Sequence, residues 1–595
     1  MRHTLYKALL AIAATALPFS RCPAESLVEA PQAAAKTLKV WPDSAPKDCP
    51  FPKSAQFGEV EFTGRHAKYA GADTWYPSWA SDDKLYSPFT DGRVNDEQSG
   101  SGYNFDNLKS PVTGFAVIEG SEPLALKITR AGLMPHEPFP YGGQYPCGSL
   151  VYNGVWYYGT YCLDWQKDPW DIMGPFPGFN ISTNLGQTWG PEARTARAPL
   201  FGESAKDGKP VSMWGKAQEY AAWSGKSGTP GAKVKIGAPH FVDFGKNMEH
   251  SPDGKAYLVA QGSVRANAYN SWAAADQVYL IRVKPSPETV NDPKAYEFFA
   301  GHDSNGKPVW SGEFGRIKPL LEWNDHMGIV TATYVPGLRK YLMCVTDGRG
   351  PKVNGTGPYD TYILESDTLT GPWKRVTYLK EFGAQAYFVN VPSKFISTEG
   401  RTLWVCYSHG WSCSTANPPG SDYAMCLQEI RLLAPDGKSI LDAPENVARK
   451  AKATASSQFP ECPPQGAING VVGGLGLTTL ADEWSAQGEH TGAWLRLTWD
   501  TPQTVNRVWL FDRPSDMVQV TEAELRFSDN SVLSVGELPD DAKHGRQVDF
   551  PAKTITWLEV RITKTRTDHP FIGLSEVAVF SAGTDNNKKN QGENK

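Results

Sequence analysis

The chain has 595 residues, a formal net charge of −5 at pH 7, and 20 Trp, 24 Tyr, 56 Gly and 46 Pro. Its length exceeds what one hydrophobic core supports, and its mild acidity, without a basic stripe, argues against nucleic acid and anionic membranes as partners. The wealth of aromatic residues, glycine and proline is typical of short strands joined by tight turns, so we expect an all-β fold.

Residues 1–24 have the pattern of a signal peptide. Arg2 and Lys7 precede an apolar run over residues 8–19, which is too short to span a bilayer. We therefore expect these residues to be cleaved off and the protein to be secreted or periplasmic. No later stretch approaches the roughly 20 apolar residues of a transmembrane helix, so no transmembrane segment is expected.

A short phrase recurs five times between residues 40 and 440, in which a tight turn is followed by alternating aromatic and aliphatic residues. The copies are residues 80–89, 151–160, 251–260, 335–344 and 397–406. Each has hairpin chemistry, with turns such as Asn-Gly and Asp-Gly. Recurrence at this spacing predicts the inner halves of propeller blades, so we predict a five-bladed β-propeller over residues 40–440, with insertions in its second and third units. Six or seven blades stay open as alternatives if these insertions contain weaker repeats.

Two further phrases in this region resemble parts of known propellers. Residues 179–189 resemble the Asp-box of sialidases, with Asn184 in place of the aspartate, and residues 365–374 resemble a phrase frequent in five-bladed glycosidases of the arabinanase and fructosidase type. The Asp-box is an outer hairpin turn without a catalytic role. The resemblance therefore implies a glycoside-hydrolase-like propeller but assigns no catalytic residue.

Residues 446–580 resemble discoidin-like (factor V/VIII type C) domains. The matching phrases, in order, are residues 445–457, 467–470, 483–484, 494–497, 505–510 and 573–580. The resemblance implies an eight-stranded jelly-roll β-sandwich that binds sugars, less often phospholipids or proteins, through loops at one end. Trp484 and Trp494 are expected in its core rather than as ligand platforms. We expect residues 581–595 to be a disordered tail.

The resemblance also bears on cofactors. Discoidin-like domains often hold a structural calcium, but Asn469-Gly470 stands here where Asp-Gly is frequent. We therefore expect no required cofactor and leave a structural calcium open. No cysteine or histidine cluster predicts a zinc site elsewhere in the chain.

Polar residues upstream of the repeated hairpins are predicted to start the innermost strands and to reach the mouth of the central channel. Three of them are carboxylates and therefore catalytic candidates: Asp73, Glu249 and Asp325. Glycosidic cleavage needs one carboxylic acid to protonate the leaving oxygen and one carboxylate as base or nucleophile. The placement of Asp73 resembles that of the aspartate base of arabinanase-type propellers, and Glu249 is expected to start the third inner strand, where these enzymes have their proton donor. We predict that the two face each other, against the alternative of turn or surface acids.

Five other residues are predicted to bind substrate: His250, His326, Trp75, Tyr145 and Asn390. The histidines can orient carboxylates or bind hydroxyl groups, and exposed aromatic rings stack on the apolar faces of sugars. Trp79, Trp156, Tyr76 and Trp411 are further aromatic candidates, of which half or more are expected in the blade core.

Eight cysteines follow the signal peptide, an even number that allows disulfides in an exported chain. Cys406, Cys413 and Cys426 lie close together in the sequence. We therefore predict that Cys413 is bridged to Cys406 or to Cys426.

Together these features predict a secreted, monomeric, carbohydrate-active protein: a propeller glycoside hydrolase held on a polysaccharide by a discoidin-like module. Two alternatives remain. A propeller polysaccharide lyase would use a basic side chain to abstract the proton beside a uronate, and a non-catalytic glycan-binding or adhesion protein would need no acid pair.

Overall fold

The fold is known from a computed structural model of the full chain. All the residues that the structure describes belong to one compact unit within residues 36–595. They are residues 39–100, 112–135, 144–164, 172–173, 176–190, 200–201, 205–206, 209–210, 235–263, 273, 275–348, 358–410, 416–435, 441, 445–472, 479–513, 517–540 and 545–581. The predicted signal peptide and nearly all of the predicted tail lie outside them.

Within the described residues the chain forms β-strands and short 3-10 turns and no α-helix, which confirms the all-β prediction. No helical segment in this part of the chain is long and apolar enough to cross a membrane. The 3-10 turns span Lys246–Met248, Pro293–Ala295, Phe314–Arg316, Ser393–Phe395, Val447–Lys450, Pro464–Ile468 and Leu480–Asp482.

Two strands, β1 (Lys39–Trp41) and β2 (Val60–Tyr69), precede the first sheet. The first sheet contains β3 (Gly71–Asp73), β4 (Ser78–Trp79), β5 (Leu85–Val94), β6 (Glu97–Ser99), β7 (Gly114–Glu119) and β8 (Lys127–Leu133). The second contains β9 (Gln144–Tyr152), β10 (Val155–Asp164), β11 (Ile172–Met173) and β12 (Gly178–Ser182), and is followed by the hairpin of β13 (Ala205–Lys206) and β14 (Lys209–Pro210).

Three more sheets follow in chain order. The third contains β15 (Lys235–Ile236), β16 (His240–Phe241), β17 (Ala256–Ser263), β18 (Gln277–Val283), β19 (Glu297–His302), β20 (Pro308–Ser311) and β21 (Leu321–Glu322). The fourth contains β22 (Val330–Val335), β23 (Lys340–Asp347), β24 (Asp360–Ser366) and β25 (Lys374–Leu379). The fifth contains β26 (Tyr387–Asn390), β27 (Thr402–Ser408) and β28 (Met425–Leu432), and β2 and β1 complete it.

The five repeated phrases of the sequence lie where each sheet turns from its first strand or strands to the next long strand. Local chemistry explains one of these turns fully. Asn153 and Gly154 join β9 to β10 with φ of 50° and 79°. Two consecutive positive φ angles define the type I′ hairpin turn, which Asn-Gly favours.

The pairing of β2 with β28 joins the start of this region to its end. The two strands are antiparallel from Val60 opposite Leu432 to Tyr69 opposite Met425, with an irregularity after Phe62. The Phe62 ring packs against Trp41 and Phe382 at centroid distances of 5.2 and 5.7 Å. The fifth sheet therefore contains strands from both ends of a segment of nearly 400 residues.

Hydrogen bonds also link the first strands of successive sheets. Examples are Val151 N to Ser78 Oγ (2.9 Å), Gly148 N to Pro239 O (2.8 Å), Asp243 N to Ala332 O (2.9 Å) and Thr331 Oγ1 to Val389 O (2.8 Å). These bonds connect the first strands of the five sheets in chain order.

The described part of residues 445–581, which we name the C-terminal domain, has eight strands, joined in one six-stranded sheet and a separate pair. They are β29 (Lys452–Ala455), β30 (Trp484–Ser485), β31 (Trp494–Phe511), β32 (Val520–Phe527), β33 (Val532–Val535), β34 (Arg546–Thr565), β35 (Gly573–Leu574) and β36 (Glu576–Ser581). The sheet runs β29-β31-β34-β32-β33 with β36 also on β31, and β30 pairs with β35. Trp484 is fully buried as expected. Trp494 is only partly buried, so its assignment to the core is wrong.

Phe62→Ala tests how far the five sheets within residues 39–435, which we name the first domain, depend on β2. Phe62 is 3% exposed within an aromatic cluster, so we expect its truncation to lower the free energy of unfolding by about 3–5 kcal/mol. Urea unfolding followed by tryptophan fluorescence measures the change. Val40→Ala is the matched control, because Val40 on the neighbouring strand is 41% exposed. Equal midpoints for the two variants would contradict a closing role for β2.

Candidate functional site

The first strands of the five sheets define two ends of the first domain. At the entry end, where these strands begin, lie Asp73, Tyr145 and Tyr387, with Asp325 and His326 just ahead of β22. At the hairpin end, where they turn back, lie Asp83, Asn153 and the turn Lys246–Met248. Asn247 Nδ2 donates to Asn153 Oδ1 (3.0 Å), and Lys246 Nζ donates to Asp83 Oδ1 (3.1 Å).

Asp73 is a buried carboxyl group at the entry end. Tyr387 OH of β26 donates to its Oδ2 (2.8 Å), and Thr74 Oγ1 donates to its Oδ1 (2.8 Å). Burial, with a smaller contribution from the charge of Asp91, raises the pKa of Asp73 well above its usual value. A carboxyl group in this setting favours its protonated form, which is the form a general acid needs.

His326 belongs to a second network at the same end. Its Nδ1 lies 2.7 Å from Asp347 Oδ2, and its ring stacks on Trp323 with centroids 4.1 Å apart. Tyr378 OH bridges Asp347 (2.6 Å) and Asp360 (2.9 Å). Burial opposes the charged ring, but the hydrogen bond and charge of Asp347 outweigh it and raise the pKa of His326.

Asp325 precedes His326 in a left-handed backbone conformation, with φ of 63°. Its amide N donates to Asp276 Oδ1 (2.9 Å), which fixes this turn to the third sheet. The side chain is partly exposed. The structure therefore brings two predicted residues, Asp325 and His326, to the same end as Asp73.

Glu249 and His250 lie at the hairpin end instead. The chain passes β15 and β16, the first strands of the third sheet, before it reaches Glu249. The Glu249 side chain is 50% exposed and accepts from Lys246 N within its own turn (3.2 Å). The prediction that Glu249 starts the third inner strand and faces Asp73 is wrong. The turn that begins at Ser251 could have shown this from the sequence, because it leaves no room for a strand directly after Glu249.

Three other predicted residues are packed inside the domain. Trp75 is 1% exposed, stacks on Phe89 and donates from Nε1 to Ala72 O (2.8 Å), so it offers no surface to a sugar. Tyr145 is 4% exposed and stacks on Tyr161. Asn390 Nδ2 donates to Trp75 O (2.9 Å), which joins the fifth sheet to the first. Trp411 lies outside the described residues.

A cavity of about 50 Å³ lies among the first strands and is lined by residues of all five sheets, among them His240. At ~10–15 Å³ per water, it has room for a few water molecules and not for a sugar ring. Burial lowers the pKa of His240 to about 3, so its ring is neutral. A substrate of the first domain would therefore bind outside this cavity.

The cysteines with described side chains are free thiols: Cys49, Cys147, Cys344, Cys406, Cys426 and Cys462. Cys413, which both predicted bridges require, lies outside the described residues. The structure therefore gives no support to a disulfide, and the pairing stays a prediction.

The calcium prediction concerns Asn469 and Gly470. Asn469 Nδ2 donates to Asp482 Oδ1 (2.7 Å), and Gly470 N donates to Glu576 Oε2 (3.2 Å). Two carboxylates thus converge on this dipeptide. The described part of the chain contains no group of three or more His, Cys, Asp or Glu that could hold a metal ion. The calcium site stays a prediction.

A cluster at one end of the C-terminal domain, which we name the loop end, comprises Phe459, His490, Asp568, His569 and Phe571. The rings of Phe459 and Phe571 meet edge to face at 5.7 Å, and His569 lies 5.7 Å from Phe571. Phe571 is 37% exposed. The ring nitrogen Nδ1 of His490 contacts Asp568 Oδ1 beside these rings.

A buried ion pair supports the loop end from below. Arg513 Nη2 lies 2.9 Å from Glu483 Oε1, with side-chain exposures of 8% and 0%. Arg513 Nη1 donates to the carbonyl oxygen of Phe571 (2.7 Å). Because the guanidinium binds both the carboxylate and the loop backbone, it fixes the position of Phe571.

Comparison with known proteins gives matches for part of the chain. A family model described as a domain of unknown function, DUF7402, matches residues 446–580. Similar solved structures include the lectin domain of lectinolysin in complex with Lewis B antigen (20% identity, 23% of this chain, 98% of that chain, TM-score 0.20). Another is the family 32 carbohydrate-binding module of NanJ from Clostridium perfringens with galactose (15% identity, 23% of this chain, 97% of that chain, TM-score 0.20). A third is the family 32 module of AlyQ with 4,5-unsaturated mannuronic acid (20% identity, 22% of this chain, 95% of that chain, TM-score 0.18). No curated protein matches.

Asp347→Asn tests the pairing of His326. The pKa of His326, measured by NMR titration, is expected above the ordinary value of about 6.5 and should fall in the variant. Because folding raises this pKa, the pair stabilises the fold fully below pH ~6.5, and the contribution is lost as pH rises through the folded-state value. An equal pKa of His326 in the variant and the unchanged protein would show that Asp347 does not raise this pKa.

Proposed function

We propose that this is a carbohydrate-active protein whose C-terminal domain binds a glycan at the loop end. One observation carries the proposal: Phe459 and Phe571 present an aromatic surface bordered by His569 and by the His490–Asp568 pair. Sugars have apolar C–H faces and hydroxyl edges, so they bind where a ring lies beside polar hydrogen-bonding groups.

The ion pair of Arg513 and Glu483 beneath the rings favours glycan binding at the loop end. Free loops lose conformational entropy when they bind, which weakens binding. Here Arg513 and Glu483 hold Phe571 before any ligand arrives. The discoidin-like phrases of residues 446–580 are consistent with sugar binding through loops at one end of a sandwich.

Phe571→Ala tests glycan binding. Loss of the exposed ring should weaken the full-length protein's affinity for its glycan about tenfold, equal to about 1.4 kcal/mol, because the stacking surface is lost while the Arg513 contact to the backbone remains. A glycan array identifies the ligand, and isothermal titration measures the change. Val532→Ala removes an exposed apolar side chain elsewhere in the domain and should bind normally. Equal affinity of both variants would refute the proposal.

A second function, hydrolysis of a glycosidic bond, is favoured by the carboxyl groups of the entry end. We propose that the five sheets are the blades of a five-bladed propeller, with Asp73 as general acid and Asp325 as the carboxylate that acts as base or nucleophile. The raised pKa of Asp73 suits a general acid, and Asp325 is a partly exposed carboxyl group at the same end of the domain. His326 is less suited to abstract a proton, as a lyase requires, because its raised pKa favours the charged ring.

Asp73→Asn and Asp325→Asn test this second function. Each should lower turnover by about 10² or more, equal to at least ~2.7 kcal/mol of barrier, because an amide cannot transfer the proton or carry the charge. New reducing ends from a polysaccharide array measure turnover, and a product with new ultraviolet absorbance would indicate a lyase instead. Glu249→Gln tests the pair of Asp73 and Glu249 that the sequence predicts, and it should keep its turnover. If Glu249→Gln lost turnover to a comparable extent while Asp325→Asn stayed normal, the role proposed for Asp325 would be refuted.

A further inference from the structure

The outer face of the C-terminal sheet carries an unusual set of side chains. Along β31, Leu495 and Leu497 point into the core, whereas Trp494 and Arg496 alternate with them and face outward. The paired strands add members to the same surface, because Arg496 lies opposite Glu559 and Thr498 lies opposite Trp557. We name this surface the arginine–tryptophan face; it comprises Trp494, Arg496, Glu524, Arg526, Trp557, Glu559 and Arg561.

Arg496 lies between the two tryptophans of this face. Its guanidinium carbon is 5.2 Å from the ring centroid of Trp494 and 4.6 Å from that of Trp557. Both rings are partly exposed, and the Arg496 side chain is 39% exposed. Aromatic planes and a guanidinium therefore reach solvent together on a regular strand surface.

The arginines of the face already bind carboxylates. The 1%-exposed Glu559 side chain accepts from Arg496 (Nε 3.1 Å, Nη2 2.5 Å) and from Arg561 (Nε 3.0 Å, Nη2 2.7 Å). Arg526 binds Glu524 through the same two nitrogens, at 3.0 and 2.8 Å. Planar carboxylates are therefore the groups that these guanidinium edges accommodate.

The face keeps an excess of positive charge and of donors. Its three guanidinium groups exceed its two carboxylates by one charge. Arg561 uses its remaining Nη1 on Gly492 O (3.1 Å). Among the described residues, the Nη1 groups of Arg496 and Arg526 have no acceptor. An anionic ligand would therefore find both charge complementarity and exposed N–H donors that bind no acceptor among the described residues.

We propose that the arginine–tryptophan face binds a polysaccharide that carries uronate carboxylates. The indole rings of Trp494 and Trp557 match the C–H faces of the sugars, and the outer edges of Arg496 and Arg526 match their carboxylates. The surface lies on the strands and not on the loops, so it is a second binding site, separate from the loop end. Its occupation does not depend on the function proposed above.

Affinity electrophoresis of the full-length protein in polygalacturonate tests the site. We expect retardation that weakens as salt rises, because exposed charges are screened, and no comparable dependence on a neutral galactan. Arg526→Gln and Trp557→Ala should each weaken binding to polygalacturonate about fivefold or more. Lys68→Gln removes an exposed positive charge from the first domain and should bind as the unchanged protein does.

Further variants keep the result interpretable. Trp557→Phe retains a ring and should bind between the unchanged protein and Trp557→Ala, with the same melting temperature. Phe571→Ala should retain polygalacturonate binding even if it loses another glycan at the loop end. The proposal would be overturned if the unchanged protein did not bind polygalacturonate, or if Arg526→Gln and Trp557→Ala bound it as tightly as the unchanged protein does. It would also be overturned if the unchanged protein bound a sulfated galactan as tightly as polygalacturonate.

Discussion

The antiparallel pairing of β2 with β28 is the constraint on which the rest of the first domain depends. The fifth sheet accepts a strand from the start of this region, so backbone hydrogen bonds join the two ends of the segment. Here β2 supplies that strand, and the aromatic cluster of Phe62, Trp41 and Phe382 holds it in place. The hydrogen bonds between successive first strands keep the remaining sheets in order.

The chemistry at the entry end depends on the same closure. Asp73 belongs to the first sheet, whereas Tyr387, which donates to its carboxyl group, belongs to the fifth. Asn390 of the fifth sheet likewise donates to the backbone of Trp75. If the seam between these sheets opened, Asp73 would lose a donor and gain water, and its pKa would return toward the ordinary value. Protonation of this carboxyl group is thus a property of the assembled fold.

Sequence reasoning succeeded where the signal was local. Tight turns followed by alternating residues located the five inner hairpins, because turn chemistry acts over four residues. It failed where the answer depended on tertiary packing: Trp75 looked like an exposed platform but fills the core, and Glu249 was assigned to the wrong end of its strand. The partnership of His326 and Asp347, 21 residues apart, has no local signature. The outward alternation of Trp494 and Arg496 was present in the sequence, but an aromatic residue in a strand was taken as a sign of burial.

The junction between the two domains has a consequence for evolution by domain exchange. Arg507 of the C-terminal domain donates from a buried Nη1 to the carbonyl oxygen of Gly337 (2.7 Å), in the turn between β22 and β23, and binds Asp549 through Nε. Gly337 itself admits no side chain, because a Cβ there would lie 2.2 Å from the carbonyl oxygen of Thr398. A recombination event that moved the C-terminal domain to another protein would separate the Arg507 guanidinium from its acceptor. This module is therefore fitted to its neighbour, and its transfer would require compensating changes at Arg507.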